Sequence, residues 1–67
     1  MDSKSIGEQV KQRRRYLNIS QSTLAALSEI SVNTLVAIER GAGNPRLENI
    51  LSVLDTLGLQ FTITPKD

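Results

Sequence analysis

The sequence predicts an all-α domain of four short helices followed by one C-terminal strand. Three observations carry this expectation. Apolar residues recur at intervals of three and four over most of the chain, the spacing that collects them on one helical face. Ser, Asn, Gly and Pro punctuate these stretches where helices start and stop. Only the segment after Gly58 changes to a strict two-residue alternation.

Residues 1–4 are polar and are expected to form a flexible N-terminus. Ser5 is the expected N-cap of helix 1, with Glu8 three residues on completing a capping box. Ile6, Val10 and Leu17 supply its inner stripe, and Asn18 can take the left-handed conformation that ends it. Helix 2 runs from Ser20 as N-cap to about Leu27, with Leu24, Ala25 and Ser28 inward. Helix 3 opens on Ser31, carries Leu35 and Ile38 inward, extends to Arg40 and stops at Gly41. Gly41–Pro45 reads as a loop. Leu47, Ile50, Leu51, Leu54 and Leu57 then form the strongest amphipathic pattern in the chain, ended by Gly58. Leu59 to Thr64 alternates apolar and polar and favours a strand, which Pro65 ends. Nothing else reads as its partner strand, so its backbone groups are left to pair outside the chain. The domain is thus expected over 5–57, the strand over 58–64 and a tail over 65–67.

A chain of 67 residues is one small domain near the lower limit for a self-sufficient core. It contains neither cysteine nor histidine, so disulfides, thiolate metal sites and the commonest general base are all absent. The carboxylates are scattered, and no catalytic, metal or cofactor site is expected. The formal charge is only +1, but Lys11, Arg13, Arg14 and Arg15 cluster late in helix 1, while Arg40 and Arg46 flank the Gly-rich loop. Such a run is either a solvated helix face or an electrostatic footprint for nucleic acid. No apolar stretch is long enough to span a membrane and no signal-peptide layout is present, so a cytoplasmic location is expected.

Helices 2 and 3 are too short to stand alone and are joined by a tight connection. This is the helix-turn-helix arrangement, in which the second helix enters a DNA groove. One residue breaks the apolar stripe of helix 1: Arg14 lies four after Val10 and three before Leu17. Glu39 borders the inner face of helix 3 and could pair with it, locking helix 3 to helix 1. Spacing alone equally allows two unrelated surface charges.

Leu17-x-Ile19-Ser20-Gln21-x-x-Leu24-Ala25 and Ile30-Ser31-x-x-Thr34-Leu35-x-x-Ile38-Glu39-Arg40-Gly41 resemble the lambda-repressor-like (Cro/XRE) helix-turn-helix family. The segment Leu-Gly-Leu-Gln-Phe-Thr-Ile after helix 4 further resembles HipB-like antitoxins. The resemblance implies a homodimeric transcriptional repressor binding double-stranded DNA at a palindromic operator. It also implies an antitoxin role with a HipA-like kinase toxin as possible partner. Leu59, Gln60, Phe61, Thr62 and Ile63 would form the strand that pairs across the dimer. Val32, Asn33, Thr34, Val36 and Ala37 would face the bases, and Ser20, Gln21, Ser31, Arg40 and Arg46 the phosphates. Asn33 alone among the base-facing set can pair bidentately with adenine, whereas Val32 and Ala37 offer apolar contact to thymine methyls. Two departures stand out: Glu29 occupies the connection position that usually carries Gly, and helix 3 is unusually apolar. An alternative keeps the fold and makes exposed Val32 and Val36 a protein-docking surface instead.

Overall fold

In a computed structural model, which describes residues 2–65, the chain forms four α-helices: α1 (Ser3–Tyr16), α2 (Gln21–Leu27), α3 (Val32–Arg40) and α4 (Leu47–Thr56). Helix α1 starts earlier than the Ser5 capping box predicts. Asp2 is the N-cap, and its carboxylate accepts the Ser5 N–H at 2.7 Å. Aspartate caps as well as serine and its charge also suits the positive helix end, so Ser3 and Lys4 are helical, ahead of the start expected at Ser5. Ser20 and Ser31 cap α2 and α3 as the sequence predicts, accepting the N–H groups of Thr23 and Thr34 at 3.0 and 3.1 Å.

Each helix is closed in the same way, by a residue of positive φ that lets the chain double back: Asn18, Glu29, Gly41 and Gly58. The next residue's N–H then reaches back to a carbonyl of the last turn: Ile19 to Arg14, Ile30 to Ala25, Ala42 to Ala37 and Leu59 to Leu54. Ile19, Ile30 and Leu59 also pack against the core, so three of the four closures anchor a connection as well as satisfying a carbonyl.

The core is Val10, Leu24, Ala25, Leu35, Ile38, Val53, Leu54 and Leu57. Burying the valine, leucine and isoleucine side chains among them contributes about 1.5–3 kcal/mol each, which is what makes so small a domain viable. Leu17 does not join the inner stripe of α1; it caps the helix at the surface. Leu47 and Leu51 are likewise exposed in the single chain, and Val53 takes an inward position that the leucine spacing does not single out.

Gly7 explains how α1 and α3 meet. A Cβ at Gly7 would collide with the carbonyl oxygen of Ile38 and come within 2.6 Å of that of Glu39. At Gly41 (φ +66°) a Cβ would lie 2.7 Å from Lys4 Cα. The first turns of α1 therefore rest backbone to backbone on the end of α3.

Among the described residues there is no β-strand. After its closing bond to Leu54, the chain runs on through Leu59–Pro65 without a ladder partner. Leu59 and Phe61 flank a small cleft of about 60 Å³ against Ile6, Gln9 and Leu54, while Ile63 is 86% exposed.

Candidate nucleic-acid interface

The interface is built around α3. Its inner side, Leu35, Ile38 and Glu39, is buried, while Val32, Asn33 and Arg40 are exposed and Thr34, Val36 and Ala37 half-buried. Positions 32, 36 and 40 follow at intervals of four, forming one outer stripe beside Asn33.

The structure brings Arg14 and Glu39 together. Arg14 Nε donates to Glu39 Oε2 at 2.7 Å and its second terminal nitrogen, Nη2, to Oε1 at 3.1 Å, a two-pronged pair with side chains only 11% and 3% exposed. The remaining terminal nitrogen, Nη1, donates to the Ile19 carbonyl at 3.1 Å. Gln21 completes the network, its Nε2 donating to Glu39 Oε1 at 3.2 Å. The bond from Glu39 raises the guanidinium pKa above its ordinary value against the opposing effect of burial. The carboxylate is buried but fully engaged, the condition under which a buried charge is tolerated. A single carboxylate on α3 thereby fixes the end of α1 and the start of α2.

The other assigned residues divide by what their side chains already do. The hydroxyls of Ser20 and Ser31 cap helices, and those of Thr23 and Thr34 bond to them at 3.0 and 2.9 Å. Arg46 reaches exposed Glu48 at 3.4 Å, a pair of the kind that contributes little. Among the described residues Arg40 makes no side-chain hydrogen bond, and Asn33 is exposed.

The basic run of α1 is not one patch. Arg14 is taken by Glu39, and Arg13 Nε donates to the Leu57 carbonyl at 3.0 Å, closing the end of α4, with its guanidinium 5.3 Å from the Tyr16 ring centre. Lys11 faces elsewhere, into a groove of about 390 Å³ between α1 and α3 that it lines with Lys4, Glu8, Gln21, Val36 and Arg40. Lys4 is not singled out by the sequence reading. The signal is nevertheless present in the spacing 4, 8, 11, which places these residues on one face of α1 once the helix is known to begin at Ser3.

Four helices of this order, with a capped two-helix unit presenting α3 outward from a fixed scaffold, define a helix-turn-helix domain. A helix-turn-helix family model matches residues 10–63. The chain is 40% identical over 52 residues, 78% of its length, to an uncharacterized HTH-type transcriptional regulator of Haemophilus influenzae; it spans about half, 53%, of that relative. Among solved structures it is similar to the restriction-modification controller protein C.AhdI from Aeromonas hydrophila (31% identity, 87% of this chain and 88% of that one, TM-score 0.78). It also shares its fold with a chain of the HipA-HipB-O2-O3 complex (22% identity, 100% and 94% covered, TM-score 0.87). The chain belongs to the lambda-repressor-like (Cro/XRE) helix-turn-helix family, a family of DNA-binding transcriptional regulators and not of enzymes. Among the described residues no helix is long and apolar enough to cross a membrane.

Proposed function

We propose that the chain is a sequence-specific transcriptional repressor that binds a palindromic operator as a homodimer, as an antitoxin-type autoregulator acting in the cytoplasm. The observation that carries this reading is the fixing of α3 by the Arg14–Glu39–Gln21 network while Val32, Asn33 and Arg40 stay exposed. Asn33 then reads an adenine, and Val32, Thr34, Val36 and Ala37 shape the fit to neighbouring bases, with thymine methyls as the apolar contacts. Gln21 and Arg40 hold phosphates, flanked by Ser20, Ser31 and Arg46.

Dimerisation is supported by what the single chain leaves uncovered: Phe61, Ile63, Leu47 and Leu51. Leu59–Ile63 pairing antiparallel with its copy gives each segment the ladder it lacks and produces a closed two-fold contact. Likeness to a restriction-modification controller and to a chain of the HipA-HipB-O2-O3 complex supports an operon-level regulatory role, and the latter a HipA-like kinase toxin as protein partner.

Selection from a randomised duplex library tests the reading. The expected product is a two-fold symmetric sequence with half-sites about 34–36 Å apart, one helical turn. Failure to enrich any sequence, together with binding insensitive to salt, overturns it and leaves the protein-docking alternative on exposed Val32. Co-purification with the product of a neighbouring gene tests the toxin partner.

A further inference from the structure

We infer that α1 carries a second phosphate clamp, outside the helix-turn-helix unit: Lys4 and Lys11, acting with Arg40 of α3, seat the DNA backbone in the groove between the two helices. The inference rests on the DNA-binding reading above and adds residues and a strand position to it.

The two glycines create the groove. Because Gly7 and Gly41 have no Cβ, the first turns of α1 lie directly on the C-terminal end of α3. A side chain at either position would push the helices apart and take Lys4 away from Arg40. With both absent, three cations line one groove of about 390 Å³ whose floor includes Gln21 and Val36. Val36 belongs to the outer stripe of α3 and Gln21 begins α2, so the groove is continuous with the surface proposed to meet DNA.

The cations are unspent. Among the described residues the ion pairs are Arg14–Glu39 and Arg46–Glu48, and neither lysine takes part. Glu39 also lines the groove, but its charge is already matched by Arg14. That leaves Glu8 as the opposing charge, four residues after Lys4 and three before Lys11 on the same helical face. Three cations against one unmatched carboxylate favour an anion, and spacing along a helix and across to its neighbour suits a polyanion better than a single small ion. Glu8 acts as a moderator, lowering backbone affinity without affecting which bases are read.

The test uses the full chain and a fluorescein-labelled mixed-sequence DNA duplex, titrated between about 50 and 200 mM salt. Every phosphate that goes unneutralised reduces the slope of log affinity against log salt by about 0.9, so Lys4→Gln with Lys11→Gln should lower it by roughly two per protomer. Lys4→Arg with Lys11→Arg should restore the parent slope, and Glu8→Gln should tighten binding to all duplexes alike. Thermal unfolding of each variant identifies loss of fold, and the arginine pair controls for a merely structural lysine role. A Gln pair that folds and keeps the parent's steep slope overturns the clamp while leaving DNA binding intact. A parent chain with no salt-dependent binding overturns both readings.

Discussion

The stretch α1–α3 and the stretch from α4 to Pro65 are built to different standards of completeness. In the first, every helix has a satisfied start, a closed end and a buried face, and its buried carboxylate is matched by a guanidinium and an amide. In the second, α4 starts at Arg46 without a side-chain cap, Leu47 and Leu51 are exposed, and the chain beyond Leu59 has no ladder partner. The difference teaches where the single chain is sufficient. The first half is organised by contacts within the protomer, although Leu27 is as exposed as Leu47, and what sets the second half apart is the backbone of Leu59–Pro65, which has no ladder partner within the chain.

Breaking the first half should have the largest effect. Arg14→Ala strands Glu39 in the core with only Gln21 as a side-chain partner and frees the Ile19 carbonyl, so it is expected to lose about 3–5 kcal/mol of stability and to weaken binding to every duplex. Glu39→Ala should do the same to Arg14. Chemical denaturation of both singles and the double variant measures the coupling; small, additive losses would show that the pair does not hold α3 in place.

The second half should respond in assembly before stability. Truncation after Leu59 keeps the closing bond of α4 to Leu54 and every residue assigned to DNA. We expect a folded monomer by analytical ultracentrifugation whose operator affinity falls about 100-fold or more, because two linked half-sites have become one. A truncated chain that remains a tight dimer would move the interface to Leu47 and Leu51 of α4.

What is legible in the sequence follows the same division. Ser20, Ser31, Asn18 and Gly41 announce helix ends by local chemistry, which depends on neighbours in the chain and so can be read from it. Arg14 can be flagged because a charge on an apolar stripe demands a partner, although only the fold shows that Glu39 meets it. The start of α1 is not legible because the Ser5–Glu8 capping pattern points to Ser5, whereas in the fold Asp2 accepts the Ser5 N–H and the backbone at Ser3 and Lys4 lies against the end of α3. Lys4 and the role of Gly7 are hidden for that reason. The split of the basic run between Glu39, the Leu57 carbonyl and the groove is hidden too, because helical spacing gives a direction on one helix and not the identity of what lies opposite.

Gly7→Ala isolates the contact that joins the two helices. Alanine is normally the better helix former by about 0.5–1 kcal/mol. Here its methyl meets backbone carbonyls that can move only by shifting α3. A net loss of about 1–3 kcal/mol is expected, with weaker DNA binding from a displaced α3. A more stable Gly7→Ala protein would show that α3 yields without strain.

The smallest expected change is also the sharpest, because the four helix closures provide their own controls. Two are glycines, and Asn18 (φ 59°) is a residue that visits the left-handed region readily. Glu29 (φ 58°) is the exception: its backbone is held where an ordinary L-residue is disfavoured by about 1–2 kcal/mol, offset by Ile30 packing, the Ile30-to-Ala25 bond and the bond from its own N–H to Ala26. Replacing it by glycine removes the strain but frees the unfolded chain, which returns about 0.4–1 kcal/mol of the gain. Glu29→Gly should therefore stabilise by about 0.5–1 kcal/mol, whereas Asn18→Gly should change stability by no more than a few tenths. Urea midpoints of the two variants against the parent decide the matter. Equal shifts would mean that the turn between α2 and α3 is relaxed as it stands, and that glutamate there is no compromise of the fold.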